Sequence, residues 1–148
     1  MKCLSVRQPW ADLICPPDDG IEWLRLPRGL ELPKDVENRR WYTTYRGDLL
    51  IHVSQIVDWE AVEMFGLTFR DFVVGAIVGK VILVGCGQTA RGPVSAWAMA
   101  GQYHWRLQYP ERFERAVGWK GTLGLFDVPE GALGVESFRA RAVEPSFV

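Results

Sequence analysis

Residues 33–54 read PKDVENRRWYTTYRGDLLIHVS, two strand patterns separated by a bend. Residues two apart in a strand share a face. In Asp35–Trp41 this puts Asp35, Glu37, Arg39 and Trp41 on one side, and Val36, Asn38 and Arg40 on the other. Gly47–Ser54 is the next strand, and Thr43–Gly47 makes the bend between them. Upstream, Met1–Arg7 alternates polar and apolar and reads as a strand. Gln8-Pro9-Trp10 then opens a short helix, with Pro9 near the first helical position, where its missing N–H costs nothing. Trp10, Leu13 and Ile14 share one helical face, and Cys15-Pro16-Pro17 stops the helix. Pro16–Pro33 is expected to be a long surface loop pinned to the body by Trp23, Leu24 and Leu26. Downstream, Val57–Met64 has helical periodicity, with Asp58 in its first turn. Val73–Gly85 is a central, glycine-punctuated β segment. Ser95–Met99 predicts a short amphipathic turn or helix, and Tyr103–Leu107 and Thr122–Val128 two short strands. Many short strands and few helices predict an α+β fold: a small mixed β-barrel with short flanking helices. The expected division is a domain over 1–129 and a C-terminal extension over 130–148.

The 148 residues suit a single domain. Lys plus Arg is 17 and Asp plus Glu is 18, so the net charge is -1. That excludes a protein that coats nucleic acid through bulk charge, and leaves room for a local basic cleft. Three cysteines without paired spacing, and two histidines, argue against a disulfide scaffold and a structural zinc site. No metal or other cofactor is implied. The N-terminus is too short and polar for a signal peptide, and the longest apolar run is broken by Lys80, so the chain reads as soluble and cytoplasmic. Seven tryptophans are many for this length. They serve core packing or give stacking faces for a planar ligand such as a base.

Several short motifs carry chemistry. Glu37, Arg39 and Trp41 place a carboxylate, a guanidinium and a flat ring on one strand face, the makings of a polar pocket. Tyr42-Thr43-Thr44-Tyr45-Arg46-Gly47 mixes basic, aromatic and hydroxyl groups, which suits sugar-phosphate and single-stranded bases. Gly85-Cys86-Gly87-Gln88-Thr89-Ala90 fits a dinucleotide fingerprint, but Gly92-Pro93 breaks the helix that such a site needs, so it reads as a strand ending in a glycine turn. His52, alone in an apolar strand, is expected to be a satisfied core histidine. His104 stands between two aromatics. Neither has the i, i+4 partner of a zinc protease.

Taken in order, LSVRQPWADLI, PKDVENRRWYTTYRGDLLIHVS, GAIVGKVILVG and KGTLGLFDVP resemble the ASCH domain (the activating-signal-cointegrator homology domain). The resemblance spans roughly residues 3 to 129. It implies a PUA-like fold, a small β-barrel with short helices. It also implies a G-x-K-x-x-E-x-R signature lining a cleft, with Lys34, Glu37 and Arg39 in its polar positions. Leu32 stands where the signature glycine usually lies. Members of the family are proposed to bind RNA, DNA or coactivator partners. Some are similar to nucleases, and one branch resembles amidohydrolases acting on N4-acetylcytidine. This chain matches the lysine of that branch and carries Glu37 in place of its threonine.

The leading expectation is a single-domain nucleic-acid-binding protein, with RNA as partner and no membrane role. Glu37 and Arg39 would hold a nucleotide, Lys34 and Arg46 would contact phosphate, and Trp10, Trp41 or Tyr45 would stack. The alternative is a hydrolase acting on RNA or a modified nucleoside, with Lys34 as base or nucleophile and Glu37 shuttling a proton. A third reading is a protein-interaction module that uses the aromatic-rich loop and tail.

Overall fold

The structure is a computed structural model that describes residues 1–88 and 95–134. Its elements in chain order are β1 (Lys2–Gln8), α1 (Trp10–Ile14), β2 (Val36–Arg39), β3 (Gly47–Val57), α2 (Trp59–Met64), β4 (Ala76–Gly87), β5 (Tyr103–Gly118) and β6 (Leu125–Asp127). A 3-10 turn, Glu130–Leu133, follows. The strands form one mixed sheet in the order β2-β5-β4-β3-β1-β6. Among the described strands β1 and β3 are the one parallel pair, and β1 lies inside the sheet, between β3 and β6.

The expected α+β class holds, and barrel closure does not. The two edge strands are β2, of four residues, and β6, of three, and they do not pair with each other. Such short edges offer few backbone groups for a closing ladder. Register shifts between Val6 and Gln8, at Ile51/His52 and at three places along β4 and β5 break the ladders as bulges do, and bulges raise local bend and twist.

The expected Tyr103–Leu107 strand continues to Gly118, more than three times as far. Tyr109-Pro110 and the charges after it read as a stop. Instead, both residues sit in a register irregularity opposite Val81, with Tyr109 at φ 53°, and pairing resumes at Glu111. A bulge is where a strand tolerates a proline, because no ladder N–H is needed there.

The sheet buries both faces. Leu4, Val6, Leu49, Ile51 and Val53 point to one core with Ala11 and Ile14 of α1 and with Trp105 and Leu107 of β5. Cys3, Leu50 and Ile77 point to a second core with Phe113, Phe126 and Leu133. Leu133 lies past the expected domain end at 129 and is 2% exposed, so the 3-10 turn packs on the body. Residues 135–148, the rest of the expected extension, lie outside the described residues. So do Thr89–Val94, which hold the end of the glycine motif; Gly85 and Gly87 end β4.

The Pro16–Pro33 segment has no helix or strand. Ile21, Leu24, Leu26, Leu30 and Leu32 hold it against a third cluster of Phe65, Leu67, Val62 and Trp97. Trp23 is not one of the pins: it is 54% exposed, at φ 66°, and meets Phe69 edge-on.

Gln8 caps α1 through its side chain, accepting from the Asp12 N–H and donating to Asp12 Oδ1. Buried Asp12 also accepts from Arg70 and Arg112, which ties the helix to the 65–75 segment and to β5. Asp58 is the N-cap of α2 rather than a first-turn residue; it accepts from the Ala61 N–H, as short polar side chains do at that position. Among the described residues no helix is long and apolar enough to cross a membrane.

Candidate functional site

The face that β1 and β3 turn to the second core changes character along its length. Cys3 and Leu50 are buried in apolar surroundings. Two residues on, Ser5 stands opposite His52, and beyond them come Arg7 and Ser54. The period-2 alternation thus carries one face from core into a cleft. The far wall is the edge strand β2 with the residues just after it, and the 119–124 segment closes a third side. The cleft encloses about 1140 Å³. Drug-sized ligands occupy clefts of roughly 300–1,000 Å³. This one is large enough for more than a single small molecule.

At the β2 wall, Glu37 is clasped between two cations. Its Oε1 lies 2.9 Å from Lys34 Nζ, and its Oε2 lies 3.0 Å from both Nε and Nη2 of Arg39. Burial pushes the Glu37 carboxyl up, and the charges and hydrogen bonds of Lys34 and Arg39 outweigh that, holding it below the ordinary glutamate value. The three signature residues therefore form one cluster, but they face the cleft unequally. Glu37 and Arg39 line it; Lys34 lies behind Glu37, donates also to the Val36 carbonyl, and has its ammonium 5.5 Å from the Trp10 ring centroid. Lys34 is 4% exposed. Its ammonium spends two of its three N–H groups on Glu37 and the Val36 carbonyl.

The expected aromatic residues divide. Trp10 lines the cleft, half-buried, with its indole N–H donating to Asp58 and its ring edge-on to Phe65. Trp41 also lines it, 36% exposed, with its ring edge-on to Trp105. Asn38 and Arg40, expected on the opposite face of β2, border the cleft as well; Arg40 does so past the strand end, where the chain has left the sheet. Tyr45 and Arg46 do not line it. The Tyr45 hydroxyl donates to the Asp48 carbonyl, and the Arg46 guanidinium donates to the Thr43 and Tyr45 carbonyls beside the Tyr42 ring.

Ser5, Arg7, Arg40, Trp119 and Lys120 are among the lining residues that were not singled out in the sequence. The signal for Ser5 and Arg7 was the odd-numbered face of β1, which turns from apolar to polar after Cys3. Lys120 and Trp119 precede β6 in a glycine-rich stretch whose path over the sheet has no sequence marker. Among the described residues Arg7, Arg40 and Lys120 have no ion pair, and all three are exposed.

His52 is 2% exposed and both ring nitrogens are partnered, as a core histidine requires. It also stands at the cleft, with Nδ1 2.9 Å from Ser5 Oγ and Nε2 2.7 Å from the Trp119 carbonyl. Compared with known protein families and with characterised proteins, the chain matches none. Among the described residues no group of three or more His, Cys, Asp or Glu side chains is arranged to hold a metal ion.

Proposed function

We propose that the chain binds nucleic acid, RNA first, in this cleft, and that its fold is an open variant of the PUA-like ASCH architecture. One observation carries the reading. A protein of net charge -1 lines a cleft with three cations, Arg7, Arg40 and Lys120, that have no ion pair among the described residues, while the one carboxylate lining it is already neutralised by Lys34 and Arg39. The local field is positive where the global one is not, which favours a polyanion at one place on the surface. Trp10, Trp41 and Trp119 add flat apolar faces between those charges, the combination that holds single-stranded bases. The size of the cleft fits several nucleotides better than one small metabolite.

The test is binding of labelled single-stranded RNA, and of the same sequence as DNA, across a salt series. Arg40→Ala and Lys120→Ala should each weaken binding to all sequences and lower the salt slope by about one unit. Arg46→Ala is the internal control: its guanidinium is taken up by its own loop, outside the cleft lining, so the slope should stay. A slope that falls for Arg46 and not for Arg40 or Lys120 moves the interface away from the cleft. No retardation of either nucleic acid refutes the reading and leaves the exposed Trp23–Phe69 pair as the first surface to probe for a protein partner.

A further inference from the structure

The pair at the floor of the cleft has a chemistry that nucleic-acid binding does not use. Ser5 on β1 and His52 on β3 are direct partners in the parallel ladder, so their side chains leave the sheet side by side. Ser5 Oγ and His52 Nδ1 are 2.9 Å apart. The ring's other nitrogen is 2.7 Å from the Trp119 carbonyl oxygen. A carbonyl only accepts, so in the neutral ring Nε2 carries the proton and Nδ1 presents its lone pair; the Ser5 hydroxyl donates to it. This is a nucleophile, a base within reach, and a third group that fixes the base's tautomer.

Gly121 gives independent weight to the site. Its φ lies outside the positive range that favours glycine, so conformation does not demand glycine there. Space does: a Cβ at 121 would stand 2.6 Å from His52 Cε1 and 3.2 Å from Ser5 Oγ. The backbone of this segment passes close to the pair, and a side chain at 121 would collide with both. Ser5 is half-buried and lines the cleft. Arg39 Nη2 donates to the Ser5 carbonyl at 2.8 Å, which sets a guanidinium beside the reacting residue. Arg7 and Lys120 lie on the same cleft wall and floor.

We propose that Ser5 is a catalytic nucleophile, activated by His52, and that the cleft cleaves carboxylic esters whose alcohol half bears a phosphate. Ser5 Oγ bonds to the ester carbonyl carbon as its proton passes to His52 Nδ1. The ester C–O bond breaks, and the departing alcohol takes that proton from His52. Water then attacks the acyl-Ser5, giving a proton to His52, and Ser5 Oγ leaves with it. The sum is ester plus water to acid plus alcohol, with no oxidant or metal required. The cations select the phosphate-bearing half. The proposal needs the cleft's cations but not the RNA reading.

The experiment treats the native full chain with a fluorophosphonate, which phosphonylates an activated serine and expels fluoride, and maps the adduct by mass spectrometry. Hydrolysis of p-nitrophenyl acetate is followed in parallel. The expected result is a single adduct on Ser5, absent in Ser5→Ala, slowed by inorganic phosphate, and formed about 100-fold or more slowly in His52→Asn. A structural tie between β1, β3 and the 119–121 segment would show as a lowered melting temperature in these variants without any wild-type adduct, and that outcome overturns the proposal. So does labelling of His52→Asn at the wild-type rate. If His52→Asn does not fold, the adduct site in the wild type decides alone. RNA retardation is measured on the same samples. Labelled Ser5 without RNA binding removes the RNA reading and leaves this one.

Discussion

Replacing Glu37 by glutamine keeps the shape of the β2 wall and removes its only negative charge. The glutamine oxygen still accepts one hydrogen bond, but Lys34, 4% exposed, keeps only the Val36 carbonyl as a full partner. Breaking a buried ion pair by removing one partner costs about 3–5 kcal/mol. Arg39 is 24% exposed at its side chain and retains the Ser5 carbonyl, so its share of the loss is smaller. We expect Glu37→Gln to destabilise the fold by about 2–4 kcal/mol at pH 7, a melting temperature lower by about 6–12 °C for a chain of this size. Urea unfolding by far-UV circular dichroism measures it, with the slope unchanged and the midpoint reduced. The pH dependence has a definite sign. Glu37 is held below its ordinary value of 4.5 in the fold, so its contribution is complete above that pH and is lost as the pH falls through the depressed folded value. The gap between wild type and Glu37→Gln should therefore close on acidification, starting below about pH 4.5. Lys34→Met combined with Glu37→Gln should recover much of the loss, because the stranded ammonium is gone. A single variant within about 0.5 kcal/mol of wild type at pH 7, or a gap constant down to low pH, would refute the reasoning.

Two further outcomes follow from groups away from the cleft. Asp12→Asn leaves the Arg70 and Arg112 guanidiniums facing an amide at a side chain 2% exposed, and should cost about 3–5 kcal/mol in urea unfolding; a loss below about 1 kcal/mol would show that the network is already compensated by water. Burial pushes the Cys3 thiol up to about 12, so at pH 8 only about one Cys3 in ten thousand is thiolate. Native protein should give up half-buried Cys86 to a thiol reagent first and Cys3 only after denaturant is added, and rapid native labelling of Cys3 would contradict its place in the second core.

The sequence revealed the parts whose signal is local. The β1 alternation, the Pro9 helix start, the Glu37–Arg39 face and the Asp58 helix start all depend on residues within a few positions of one another, and the structure places them close to where the pattern does. The length of β5 was hidden because a bulge at Tyr109-Pro110 allows a strand to cross a residue that reads as a stop. Closure of the barrel depends on whether two edge strands meet, and no local pattern encodes that. In the site, Glu37 and Arg39 were visible because they share one short strand. Ser5 with His52 was not, because 47 residues separate them and a parallel register brings them together. The 119–121 segment contributes a carbonyl and a gap rather than a side chain, which leaves no residue type to notice.

The place of β1 bears on how this chain is made. Its seven residues leave the ribosome before both of their sheet neighbours: β3 begins at Gly47 and β6 at Leu125. The cleft floor and the second core both straddle that strand, so neither is complete until β6 has emerged. Pairings this distant in sequence form slowly and leave strand edges unmet meanwhile. Until β6 arrives, the Cys3–Leu4–Val6 stretch is an open edge, and the nascent chain is most exposed to mispairing there.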